Sequence, residues 1–253
     1  MSEHALGHFE QAADLYDKTT GGSTRDVAIR ALDLLPAVAP DSIVLDNACG
    51  TGVVTSEVLR REPTARVHAV DFAANMQRRL RPDGRRGPHV ADCTFTHSIT
   101  NFALHLFGDA SKGAEHIYRT LKPGGAAVVT TWEELGYIPP LQKAQLGVRP
   151  GSTPFRIPIP DVWFQAEHLE ETMKDGGFED VEVVPMEVYY AIDSLPALYE
   201  SFRHFFTGLT EEQISQMEKL FMGNARADGV IFQQDGQELL GLRMKAHVAV
   251  CKK

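Results

Sequence analysis

What this chain has little of excludes several classes at once. Only three of its 253 residues are cysteines, Cys49, Cys93 and Cys251, and they lie far apart. There is no C-x-x-C pair and no Cys/His zinc spacing, so neither a metal site nor a disulfide framework is expected. Widely spaced thiols suit the reducing interior of a cell, and a cytoplasmic protein is expected. Basic residues are the minority: 25 Lys and Arg stand against 34 Asp and Glu, a net charge of −9. That balance argues against a duplex nucleic-acid partner. The one basic run, from Arg78 to Arg86, reads as a solvated helix end and loop. No apolar run approaches the ~18 residues of a spanning helix, so no membrane insertion is expected. The opening text, Met1-Ser2-Glu3-His4, has neither a positive region nor an apolar core, so no signal peptide is expected. Internal repeats and low-complexity tracts are absent too. What remains is 43% hydrophobic, enough for one large α/β domain or a domain with an inserted cap.

The chain is organised around Ile43-Val44-Leu45-Asp46-Asn47-Ala48-Cys49-Gly50-Thr51-Gly52. Apolar, largely β-branched residues run into an acid and a glycine turn, which suits a buried parallel strand. Val53 to Arg60 follows at helical spacing. Strand, tight loop and helix in that order place the turn at the carboxyl end of a doubly wound sheet, where ligands bind. Gly50 and Gly52 leave room for a ligand against the backbone and tolerate positive φ. A dinucleotide loop reads G-x-G-x-x-G, but the third position here is Thr55. Asp46 would also face a pyrophosphate badly and suits a cationic ligand better. Arg66 to Phe72 reads as the next strand, and its acid, Asp71, has the spacing of a residue that binds ribose hydroxyls.

The text D-x-A-x-G-T-G, then Val70-Asp71-Phe72 with Asn75-Met76, then Leu121-Lys122-Pro123-Gly124-Gly125 resembles class I S-adenosylmethionine (SAM) methyltransferases. The nearest resemblance is to the ubiquinone/menaquinone-biosynthesis type. A weaker one extends to fungal secondary-metabolite methyltransferases acting on small molecules. The three motifs occur in family order over about half the chain. The resemblance implies a Rossmann-like doubly wound sheet of seven strands with an antiparallel last strand, and a small helical or loop cap on the substrate side. It implies SAM as cofactor, S-adenosylhomocysteine as product, and a small-molecule methyl acceptor. The implied cofactor contacts are Tyr16, Asp46, Ala48, Gly50, Thr51, Gly52, Asp71, Phe72, Met76, Asp92 and Ser98.

On this reading residues 1–253 form a single domain. Residues 1–40 are helices covering the cofactor, and 133–175 and 190–235 supply cap and substrate segments. Ser23 or Thr24 is the expected cap of a helix ending before Pro36. Residues 78–94 fit the family least. Either His89-Val90-Ala91-Asp92 is a stunted third strand with Asp92 at the adenine, or a block of the fold is absent there. Phe95 to Phe102 reads as the fourth strand, with Ser98 near its carboxyl end facing the sulfonium. Strands are also expected to end at Trp132, over 178–184 and over 239–250. Ser194 to Asp228 reads as mostly helical, and Asp161 as the cap of a helix running past Met173 to Gly176.

Methyl transfer is an in-line displacement in which the cofactor carries the reactive group, so no side chain has to be catalytic. His97 and His105 are candidates for a base, each weighed against a structural role. The text Ser98-Ile99-Thr100-Asn101-Phe102 does not resemble the Asn-Pro-Pro-Tyr signature of nucleic-acid and protein amide methylation, which points to a small acceptor. The acceptor atom could be O, N or S, and the protein a monomer or homodimer. The alternatives are a methyltransferase-like SAM binder without transfer, and a Rossmann oxidoreductase, which Thr55 and Asp46 disfavour.

Overall fold

In the computed structural model, residues 20–71, 91–234 and 236–253 are described. Among the described residues the first helix, α1 (Ser23–Leu32), precedes strand β1 (Ile43–Asn47), helix α2 (Val53–Arg61) and strand β2 (Arg66–Val70). Strand β3 (Phe95–Asn101) runs through a short 3-10 turn, Leu104–Leu106, into α3 (Ala110–Thr120) and β4 (Leu121–Leu135). Then come α4 (Ile138–Val148), a 3-10 turn at Asp161–Phe164, α5 (Ala166–Asp175) and β5 (Asp180–Ala191). Helices α6 (Leu195–Phe202) and α7 (Glu211–Asp228) lead to the hairpin β6 (Val230–Gln234) and β7 (Gln237–Lys252).

The sheet order is β2-β1-β3-β4-β7-β5, with β6 paired to β7. The β1–β2, β1–β3 and β3–β4 pairs are parallel, and β7 is antiparallel to β4, β5 and β6. Buried apolar residues cover both faces. On one, Val27 of α1, Val58 of α2, Leu141 of α4, Phe202 of α6 and Phe221 of α7 pack over Val44, Ile99 and Val128. On the other, Ile117 of α3 and Met173 of α5 pack over Leu45 and Val129. Covered on both sides, Ile43-Val44-Leu45 of β1 and Ala126 to Val129 of β4 read as apolar runs, whereas β3 interleaves Thr96, His97, Ser98 and Thr100. Among the described residues no helix is long and apolar enough to cross a membrane.

The doubly wound sheet with an antiparallel last strand is as the sequence implied. Ala91 and Asp92 lie outside any strand, while His89 and Val90 are outside the described residues. Among the described residues the strand not expected from the sequence is β6. Its signal is the Asp235-Gly236 pair between two β-rich runs, with Gly236 at φ 78°. The expected boundaries also shift. Helix α1 stops at Leu32, and its cap is Gly22 rather than a side chain; the Ser23 hydroxyl donates to Thr20 O instead. The helix at Asp161 is split into a 3-10 turn and α5.

Within 133–175, Leu169 and Met173 of α5 pack into the core with Leu45 and Val129. Helix α5 lies on α3 so closely that a Cβ at Gly176 would stand 2.5 Å from the Ala114 Cβ. Helices α4 and α7 meet at Gly147, where an added Cβ would come within 2.8 Å of Leu220. At Gly176 the close approach includes the Ala114 and Glu115 backbone and so requires glycine; at Gly147 only the Leu220 side-chain end would have to shift.

Candidate functional site

Strand β1 delivers the chain into a loop that three positive φ angles fold back on itself. Ala48 lies at 59°, Gly50 at 51° and Gly52 at 85°. The strained non-glycine in this set, Ala48, sits where the strand turns. Two backbone bonds close the loop: Cys49 N–H donates to Val70 O at 2.9 Å, and Gly52 N–H to Cys49 O at 2.8 Å. The first ties the loop to β2, the neighbour of β1. At the end of β2, the Asp71 carboxylate accepts the Gly50 N–H at 2.7 Å, a charge-assisted bond spanning 21 residues of sequence. Among the described residues, a Cβ built on Gly50 meets nothing within 4 Å. The loop therefore presents bare backbone beside an acid.

Asp46 has another partner than the sequence implied. It is 2% exposed, and its Oδ2 accepts both the Thr55 N–H at 3.0 Å and the Thr55 hydroxyl at 2.6 Å. Thr55 is in the first turn of α2, whose unsatisfied N–H groups and dipole favour a negative charge. Burial pushes the Asp46 carboxyl up to about 6; the two Thr55 bonds pull the other way, and the Asp71 charge adds to the rise. Asp46 thus clasps the strand to the helix that follows. Nothing in the sequence pattern marks Thr55 as its partner, because a spacing of nine residues across a loop carries no local signature.

The carboxyl edge beside this loop is knitted by amides and hydroxyls. Asn47 donates to the Thr100 hydroxyl at 3.1 Å, Asn101 donates to Thr24 O at 3.1 Å, and Thr130 donates to Asn101 Oδ1 at 2.8 Å. Phe102, another non-glycine at positive φ (51°), follows β3 and stacks on Trp132 with ring centroids 4.0 Å apart. Its N–H donates to the Thr130 hydroxyl at 2.9 Å. Asn47, Asn101, Thr130 and Phe102 were not singled out by sequence reasoning. They become visible only once parallel register sets them side by side.

Of the residues the resemblance implied, Asp46, Ala48, Gly50, Thr51, Gly52 and Asp71 come together at this edge. Tyr16, Phe72 and Met76 lie outside the described residues. Ser98 does not reach the edge. It pairs with Leu45 in mid-strand, is fully buried, and its hydroxyl has no partner among the described residues. Asp92 is placed at the opposite end of the sheet, before the start of β3. There it pairs with Arg119 on the last turn of α3, with its side chain 67% exposed. His97 is buried and held at both ring nitrogens, by the Thr96 hydroxyl at 2.8 Å and Pro36 O at 3.0 Å. That pairing fits a structural role. His105 follows the carboxyl end of β3, with burial pushing its imidazole down to about 4.

A concavity opens at the end of β4. It is a cleft of about 260 Å³ whose lining includes Glu133, Leu135, Ile138, Phe155, Ile157 and Phe164.

A methyltransferase-domain family model matches residues 44–125, which contain the glycine loop, β1 to β3 and the turn at Pro123. A malonyl-(acyl-carrier protein) O-methyltransferase of Halorhodospira halophila is 32% identical over 140 residues, 49% of this chain and 46% of that protein. A ubiquinone/menaquinone biosynthesis C-methyltransferase of Geotalea daltonii is 31% identical over 107 residues, 36% of this chain and 46% of that protein. The chain thus spans about half the length of these curated relatives. A solved SAM-dependent methyltransferase of Thermotoga maritima, titled a possible histamine N-methyltransferase, superposes with a TM-score of 0.53. It is 14% identical, and the match covers 97% of this chain and 98% of that one. That likeness shows the fold, the Rossmann-like sheet. The loop and the acid after β2 therefore lie in a segment similar to class I SAM methyltransferases.

Proposed function

We propose that this chain binds SAM at the carboxyl ends of β1 and β2 and transfers its methyl group to an O, N or S atom of a small hydrophobic molecule. One observation carries the reading: Asp71 holds the Gly50 N–H at 2.7 Å, at a glycine whose Cβ direction is empty among the described residues. Bare backbone beside a carboxylate suits a ligand with an amino-acid end and ribose hydroxyls. When bound, SAM supplies an activated methyl on a positively charged sulfur. The chain's own part is to bind, orient and exclude water. Asp71 would accept from the ribose hydroxyls while keeping the loop in shape. Gly50 and Gly52 would let the cofactor lie against the backbone. Asp46, whose Oδ2 accepts both Thr55 bonds, fixes the loop to α2 and acts on the cofactor through the loop.

The oxidoreductase reading is the weaker one. The third-glycine position of a dinucleotide loop is occupied by Thr55, which is held by Asp46. Calorimetric titration with SAM and with NAD separates the two. Saturable SAM binding without NAD binding is expected, and NAD binding alone would overturn the proposal. Methyl release from SAM in the presence of candidate acceptors then separates an enzyme from a binding protein.

A further inference from the structure

The cleft at the end of β4 has features that packing does not explain. Trp132 pairs with Ala246 and Glu134 with Lys245, so Glu133 is the extra residue of a β-bulge. Bulges re-aim a side chain and are over-represented beside active sites. Here the bulge brings the Glu133 carboxylate to the wall of the cleft. Lys245 Nζ stands 3.7 Å from one oxygen and His247 Nδ1 3.8 Å from the other. His247 is itself held by Phe164 O at 3.1 Å, on the cleft's far wall. Directly across from His247, the buried Thr131 hydroxyl has no partner among the described residues.

The opposite wall is built, not incidental. The proline-broken segment after Pro150 is pinned to α4 by two glutamines. Gln142 donates to Phe155 O at 2.8 Å; Gln145 donates to Thr153 O at 2.8 Å and accepts from Phe155 N–H at 2.6 Å. Within the cleft Arg156 is paired with Asp161 at 2.5 Å. The lining is mostly apolar, with Glu133 and Glu134 from β4 and the solvent-exposed Arg156–Asp161 pair as its charged groups. A space of about 260 Å³ suits a body of one or two rings, below the usual range for larger ligands.

We propose that this cleft is the methyl-acceptor site, and that its ligand is an apolar ring compound bearing a hydroxyl or amine whose hydrogen is donated to Glu133. The proposal rests on the methyltransferase reading for the word acceptor, though the binding itself is measured without cofactor. A carboxylate at the wall accepts hydrogen bonds from a hydroxyl or amine and repels like charge, so an acidic ligand of the same shape binds more weakly.

The test uses the full chain and three probes of one shape: naphthylmethanol, naphthylmethylamine and naphthoate. Calorimetry should give saturable binding of the alcohol and the amine, with naphthoate at least tenfold weaker. Glu133→Gln should weaken the amine about tenfold and narrow its difference from naphthoate. Ile157→Trp, which fills the cleft, should remove binding of all three. Both variants should keep the parent's circular dichroism and SAM affinity, so that loss of probe binding reports on the cleft. No probe binding, or equal affinities insensitive to Glu133→Gln, would overturn the proposal while leaving the cofactor reading to its own titration. Probe binding as described, in a chain that binds NAD and not SAM, would overturn the assignment as acceptor site.

Discussion

Replacing Asp46 with asparagine should change how stability depends on pH, in a direction fixed by the structure. Asp46 is 2% exposed and its carboxyl rises from 3.8 to about 6. The unfolded chain would carry it near its ordinary value. Between those two values the folded state holds the proton more tightly than the unfolded state. Stability then falls as pH rises. The contribution is fully present below about 4 and is lost by the time pH has risen through about 6. A shift of about 2 units at ~1.4 kcal/mol each gives about 3 kcal/mol as the full swing. Asparagine keeps an oxygen for the Thr55 N–H and hydroxyl but does not titrate. The assay is urea unfolding of parent and Asp46→Asn across pH 4 to 8, with the difference between the two taken at each pH. The variant should gain on the parent by about 3 kcal/mol from the acid end to neutrality. A difference that stays flat across this range, or that moves the other way, would refute the reasoning about a buried, clasping carboxylate.

Three further expectations concern the cofactor edge. Asp71→Ala should lower SAM affinity by ~1.5–3 kcal/mol, roughly 10- to 150-fold, through loss of charge-assisted bonds; unchanged affinity by calorimetry would remove Asp71 from the site. Gly50→Ala should cost the fold only about 1–2 kcal/mol for a side chain at positive φ. The same substitution should weaken SAM more than tenfold, because its methyl enters the space beside the loop; thermal melting and calorimetry together read the two effects apart. Asp92→Ala should leave the affinities for SAM, S-adenosylhomocysteine and methylthioadenosine unchanged within twofold, because Asp92 sits at the far edge of the sheet in an exposed pair with Arg119. A parallel loss for all three ligands would put Asp92 back at the adenine.

Local patterns and structure agree best where the chain makes its own signal. The apolar run into Asp46, the glycines at 50 and 52 and the acid at 71 read correctly as strand, turn, helix and strand end. Each is set by residues adjacent in sequence. Register was the first thing out of reach. Ser98 reads as an edge residue until its pairing with Leu45 puts it in mid-strand. Asp92 is only three residues from β3, but at the end the chain enters rather than leaves, so a short offset in sequence becomes the opposite side of the sheet. Residues 166–175 fall inside the expected cap segment 133–175; which surface α5 covers depends on α3, some fifty residues earlier.

The order of apolar runs, glycine turns and acids therefore determined a run of parallel strands with a glycine loop after the first, because backbone conformation and burial pattern are short-range properties. Tertiary structure alone decided what the side chains at that edge do. Asp46 turned inward to Thr55, Asp71 took the Gly50 N–H, and the bulge at Glu133 carried a carboxylate to the cleft wall. Those pairings depend on strand register and on helices packed from distant parts of the chain, which no spacing within one segment encodes.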